Sequence, residues 1–343
     1  MTTPPPTASP TGDTEEREAP KAESPKSGGT TEILGRSPGK AAWARLRRDR
    51  VAMVSLVITV LFILVAVFAP VLTAMSGWGP ITSDIKAINP NVGNFPYGSF
   101  GGISLKHLLG VEPGTGFDLY ARIVYGMRTS LIVGFVSAVV STVLGVVVGL
   151  AAGYFGGWID NLLSRIMDIV LGFPQLLFII ALSPVLSSAL ATAHGGTSEN
   201  LRLVILVINI SAFAWAYTAR LVRGQALSLR EREFIDASRI MGARPGHILF
   251  KQLLPNLWAP IMISFALAVP TNITTEAALS YLGVGVVPPS PDLGSLLNAA
   301  SEYFLTDPTY LFIPGVLLLV LVLALNLLGD GVRDALDPRS NRS

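Results

Sequence analysis

Six apolar runs, each about as long as a bilayer is thick, leave this 343-residue chain few folds to choose from. They lie near residues 51–74, 129–153, 162–187, 201–221, 257–282 and 311–329. A helix of about 20 mostly apolar residues crosses a hydrocarbon core. Lipid supplies no hydrogen bonds, so a spanning backbone must satisfy its own N–H and C=O groups, as a helix or a closed barrel. Continuous runs without strand-like alternation predict helices. The expected fold class is therefore all-α, a polytopic membrane protein with about six transmembrane helices. Half of the residues are hydrophobic and 14% charged, against about 25% charged in soluble domains.

Basic residues fix the orientation. Arg45, Arg47, Arg48 and Arg50 precede the first run, and Arg220, Arg223, Arg230, Arg232, Arg239, Arg244 and Lys251 crowd the stretch after the fourth. Positive charge marks cytoplasmic segments, and both clusters give one topology, with the N-terminus and the C-terminus cytoplasmic. Residues 75–128 and 283–297 then lie outside. Three regions follow: a disordered cytoplasmic tail over 1–40, a first transmembrane helix with its extracytoplasmic loop over 41–128, and the remaining transmembrane domain over 129–343. The tail is rich in Pro, Ser, Thr, Glu and Lys, with too little apolar surface to offset the entropy of ordering. Gly35 to Ala41 has one residue too few between its glycines for a phosphate loop and ends in Ala where Ser or Thr would meet magnesium.

Several function classes drop out. A formal net charge of +2 gives no reason to expect nucleic acid, and without cysteine there is no thiol nucleophile or iron–sulfur site. His107, His194 and His247 are too scattered for a metal centre on one element. No G-x-S-x-G elbow or paired-histidine motif is present, so a membrane-embedded enzyme is not expected.

Inside the runs, four features stand out. Ser141, Gly145, Gly149 and Gly153 are four apart, a small-residue seam suited to packing within the subunit or against a partner. Asp168 is an intramembrane acid, a functional candidate by default, with Arg165 one turn away as a structural partner. Pro174 is expected to kink the third span, and Pro260 and Pro270 to interrupt the fifth. Asn272, Glu276 and Ser280 form a polar stripe on the fifth span that either lines a pathway or cross-links helices.

The stretch from Ser228 to Asn256 is different in kind. It is predicted to be an amphipathic hairpin: a helix ending at Gly242, a turn, and a second helix opening at Pro245 and stopping before Pro255. Phe234, Ala237, Ser238 and Met241 share one face of the first limb. A side chain in place of Gly242 is expected to clash in the turn. A short basic element held between membrane helices is what a membrane protein needs to touch a soluble partner.

Here Glu233, Asp236, Ala237, Gly242 and the run Gln252–Leu253–Leu254–Pro255 resemble the cytoplasmic loop of the membrane subunits of binding-protein-dependent, ATP-driven importers, whose pattern is E-A-A, three residues, G, about nine more, then I-x-L-P. Ser238 stands for the second Ala. Gly110, Gly116, Asp118, Arg122, Tyr125, Gly126 and Arg128 resemble the segment preceding the second span in the dipeptide and oligopeptide branch. Residues 275–294, with Leu293 for the usual Trp, and 326–340 match that branch as well.

The resemblance implies a type I ABC importer permease fold and the C-type permease subunit of a dipeptide or oligopeptide importer in a bacterial plasma (inner) membrane. It implies a homologous B-type permease, two ATPase subunits and an extracytoplasmic substrate-binding protein as partners, with ATP and magnesium on the ATPases and no cofactor in this chain. It assigns coupling to the ATPase to Glu233, Asp236, Ala237 and Gly242. Nickel or haem import by the same architecture is an alternative, and an ion-coupled secondary transporter, using Asp168 and Glu276, is another.

Overall fold

The structure, a computed structural model, describes residues 38–194, 199–286 and 288–337. The expected tail therefore lies almost wholly outside the described residues. A short helix α1 (Pro38–Leu46) precedes α2 (Arg50–Val67), whose first turn is capped by Asp49 Oδ1, accepting from Val51 N at 2.8 Å and Ala52 N at 3.2 Å. Pro70 opens α3 (Ala69–Ser76), and Gly77 ends it at φ +77°.

Residues 77–118 are built rather than loose. Strands β1 (Ile88–Asn89) and β2 (Phe95–Pro96) pair antiparallel, with Ile88 opposite Pro96. His107 is buried between two acids, with Nδ1 2.8 Å from Asp118 Oδ2 and Nε2 3.3 Å from Asp84 Oδ2. Helix α4 (Leu119–Phe155) starts ten residues before the apolar run does. Asp118 caps it, and its buried Arg122 bonds Glu112 at 3.0 Å while Tyr310 Oη donates to Glu112 at 2.6 Å. Hydropathy could not register this charged first turn, because its charge is neutralised by a distant partner.

The third apolar run is broken instead of kinked. Helices α5 (Gly157–Gly172) and α6 (Gln175–His194) meet at 90° across Pro174. Pro174 has no N–H and forces Phe173 into extended backbone. Then come α7 (Glu199–Arg230), α8 (Glu233–Ile240), α9 (Pro245–His247), a π-helical segment (Ile248–Leu253) and α10 (Leu254–Asn256). Helix α11 (Trp258–Tyr281) is continuous. Pro260 and Pro270 do not interrupt it: Pro260 falls in the first turn, where backbone N–H groups lack intrahelical partners anyway. An outer helix α12 (Leu293–Ser301) and the long α13 (Pro308–Leu336) complete the chain.

Among the described residues, five helices are long and apolar enough to span a membrane, six if α5 and α6 count as one broken span. The most extensive pairing is α4 with α7. The small-residue seam makes it: a Cβ on Gly149 would lie 2.5 Å from Ala219 O, and one on Gly153 2.6 Å from Ala226 Cβ. The seam packs inside this subunit. With little hydrophobic drive between helices in lipid, such close backbone approach supplies the attraction.

Candidate functional site

The hairpin connects α7 to α11 and packs against the foot of α4. The first limb begins where α7 stops at Arg230, whose Nη1 donates to Gly153 O at the foot of α4 at 3.1 Å. Helix α8 ends in a tight turn: Gly242 N donates to Arg239 O and Ala243 N to Ser238 O, both at 3.0 Å, with Gly242 at φ +78°. This crossed pair is the Schellman arrangement, which needs a left-handed residue just past the helix end. A Cβ at Gly242 would meet nothing within 4 Å. The expected clash is absent, and the demand for glycine is conformational.

The second limb runs on past Pro255 to Asn256, where the sequence predicts a stop. The π turn absorbs the proline, since a wider coil relieves the contact with the preceding carbonyls.

Packing ties both limbs to the membrane part. Ile235, Ile248, Leu253 and Leu257 are buried with Leu150 of α4, Val222 and Ala226 of α7, and Ile261 of α11. The two limbs are also clasped: Gln252 Nε2 donates to Ser238 Oγ at 2.6 Å, and that hydroxyl donates to Phe234 O at 2.9 Å. Ser238 is thus more than a small residue, a role its size alone gives no sign of.

The buried face of α8 is Ile235 and Ser238, rotated by about one residue from the predicted face of Phe234, Ala237, Ser238 and Met241. Ile235 takes the inner position because the core of Ile248, Leu253 and Leu257 lies on that side. Glu233, Asp236, Ala237 and Ile240, spaced i, i+3, i+4 and i+7, then share the outward face. Gly242 is exposed beside them, and Ile240, Met241 and Phe250 are 87%, 79% and 64% exposed. Charged and apolar groups together rim the loop.

Two ion pairs brace its base. Asp160 of α5 takes a two-point bond from Arg223 of α7, one arm at 2.8 Å. Asp168 pairs with Arg220 of α7, across from it, and not with Arg165 one turn away; both side chains are half exposed. The two pairs are eight residues apart on α5 but three apart on α7, so α5 crosses α7 obliquely.

At the other end of α11, Asn272 and Glu276 are buried. Glu276 lies beside Ser280, Ser130 of α4 and Asp292, the N-cap of α12. Burial pushes the Asp292 carboxyl above the ordinary carboxylate range, partly offset by donors from Ser280 and Ser295. Among the described residues no group of three or more His, Asp or Glu side chains is placed to hold a metal.

Residues 145–342 match the family described as binding-protein-dependent transport system inner membrane component, and residues 37–91 match the N-terminal transmembrane domain of oligopeptide transport permease C. The chain is 38% identical over 88% of its length to a dipeptide transport system permease protein, DppC, of Alkalihalophilus pseudofirmus, covering 90% of that protein. It is 38% identical over 89% of its length to the glutathione transport system permease protein GsiD of Salmonella typhimurium, covering 91% of it. Among solved structures, a chain of the MetNI methionine ABC transporter in an inward-facing conformation shares the fold: TM-score 0.50, 24% identity, 64% of this chain and 98% of that one.

Proposed function

Because the chain belongs to the family of binding-protein-dependent transport system inner membrane components, a non-catalytic multi-pass permease subunit of an ABC importer, we propose that it serves peptide uptake. In this reading it is the C-type subunit, paired with a homologous B-type permease and served by two ATPase subunits and an extracytoplasmic binding protein. ATP and magnesium belong to the ATPases. The substrate class is a di- or oligopeptide, a reading supported by the dipeptide and glutathione transport roles of relatives that align along nearly the whole chain. Residues 129–343 form the importer domain, and 41–128 add a helix and an outer loop.

The observation that carries the coupling role is the construction of the hairpin. A turn fixed by crossed hydrogen bonds, and limbs buried against α4, α7 and α11, make a rigid lever with an exposed mixed rim. Glu233, Asp236, Ala237 and Gly242 are the coupling residues in this reading: acids for partner cations, a small residue for close approach, and the glycine for the turn. Asp168 braces α5, Glu276 ties the outer end of α11 to Asp292 at the start of α12, and Asn272 is a buried polar residue of α11 whose Nδ2 has no hydrogen-bond partner among the described residues.

The test is ATP hydrolysis by the assembled importer in nanodiscs, with and without binding protein and a dipeptide, comparing wild type with Glu233→Lys. Peptide-dependent stimulation in wild type and its loss in the variant are expected. Assembly with no ATPase, or solute movement that needs no ATP, would overturn the reading.

A further inference from the structure

Two acids are buried together at the outer end of α11 without a basic partner among the described residues. Glu276 is fully buried, and its Oε2 has no hydrogen-bond donor. The Asp292 carboxyl, also fully buried, lies within hydrogen-bonding reach of it. Asp292 takes its bonds from Ser280 Oγ at 2.6 Å and Ser295 N at 2.5 Å. Ser280 has one proton, and its Oγ lies 3.5 Å from Glu276 Oε1, so that proton serves Asp292.

Among the described residues, no basic side chain is bonded to either carboxyl. On α4, Arg122 is committed to Glu112 and to Pro289 O, and Arg128 lies about 200° around the helix from Ser130. Helix α12 has no charged residue, and the outer half of α13 has none between Asp307 and Asp330. Arg202 of α7 lines the neighbouring cleft beside Gly283 and Gly285. Two unneutralised carboxylates in such a site would repel each other and lack solvation, and one of them must be neutralised.

Backbone closes tightly on the residues that carry the pair. A Cβ on Gly285 would lie 1.9 Å from Ser280 Oγ, and one on Gly294 2.2 Å from Ala277 O. We propose that Glu276 and Asp292 hold one proton between them, and that this proton latches the start of α12 to the outer end of α11. Lifting α12 exposes both carboxyls and releases the proton. The closed latch binds the proton more tightly than the open one, so opening becomes easier as pH rises.

The experiment uses the full-length chain in nanodiscs. Infrared spectra at neutral pH are expected to show the C=O stretch of a protonated carboxylic acid, shifted in D2O and lost in both E276Q and D292N. Hydrogen exchange over residues 293–301, corrected for the intrinsic pH dependence of exchange, is expected to report opening that rises about tenfold per pH unit. E276Q, whose amide can donate to Asp292 as the proton does, is expected to keep α12 protected and abolish that slope. The latch is refuted by a wild type without the band, by a band unchanged in both variants, or by an unaltered slope in E276Q. Protection that follows sodium, potassium or calcium concentration at fixed pH would show a bound cation instead. Should both variants unfold, the wild-type band and slope still decide.

Discussion

Replacing Gly242 separates two reasons for which a turn can require glycine. The residue sits at φ +78°, and an added Cβ would meet no atom within 4 Å. Size is therefore free there, and only the left-handed backbone is costly. An ordinary L residue pays about 1–2 kcal/mol in that region, whereas Asn visits it readily through local hydrogen bonds. A β-branched residue is a true outlier. The expected order of damage is Asn, then Ala, then Val. A steric cause would instead spare Ala and punish Asn and Val alike. A loss of 1–2 kcal/mol changes a local equilibrium by about 5- to 30-fold, and hydrogen exchange over residues 233–256 in the full-length chain reads that directly. Membrane insertion should be unchanged in all three variants, while peptide-stimulated ATP hydrolysis by the assembly falls in the same order. Asn no better tolerated than Ala, or Val indistinguishable from wild type, would refute the conformational account.

Three further perturbations test the braces around the hairpin and the outer loop. Ser238→Ala leaves the Gln252 amide without its partner, a loss of about 1–3 kcal/mol, and Gln252→Leu in the same chain should recover much of it; an additive double-mutant cycle in thermal unfolding would show that the clasp is idle. Asp160→Ala removes a two-point bond from the partly buried Arg223 and should cost about 1.5–3 kcal/mol, whereas Asp168→Ala breaks a half-exposed pair worth about 0.2–1 kcal/mol; equal melting shifts for the two would contradict the packing. The hydrogen bond from Lys106, at 2.5 Å, holds the Asp84 carboxyl below its ordinary value. That depressed carboxyl contributes stability above its unfolded value of about 3.9, and the contribution is lost as pH falls through the folded one; protease cleavage within residues 77–118 should rise in acid, and Asp84→Asn should flatten the rise.

The spans and their orientation were legible because hydropathy and basic flanks are local signals, written in the residues that use them. What escaped prediction depended on distant partners. Helix α4 begins at Leu119 because Arg122 finds Glu112 and Pro289, 10 and 167 positions away in sequence. Asp168 chose Arg220 over Arg165 because α5 packs across α7, which brings Arg220 to it. The hairpin's turn was readable from Gly242 and Pro245, since both carry backbone constraints of their own. Its buried face was not, because the choice of Ile235 over Phe234 is made by Ile248 and Leu253 on the second limb. The serine clasp was hidden for the same reason: a hydroxyl's worth depends on what lies opposite.

The same two helices serve both ends of the molecule. Leu150 near the foot of α4 and Ile261 near the foot of α11 pack on the hairpin. Gly126 and Ser130 of α4, with Glu276 of α11, hold the start of α12 outside. At about 1.5 Å per residue, the 37 residues of α4 and the 24 of α11 make rods long enough to link the two faces without an intervening joint. Helix α4 packs most extensively on α7, and α11 packs on α4 and α13. On the coupling role proposed above, a displacement of the hairpin would be resisted or released where α12 is fastened. Coupling between two sites requires one element that both can bias, and α4 and α11 are the elements that touch both.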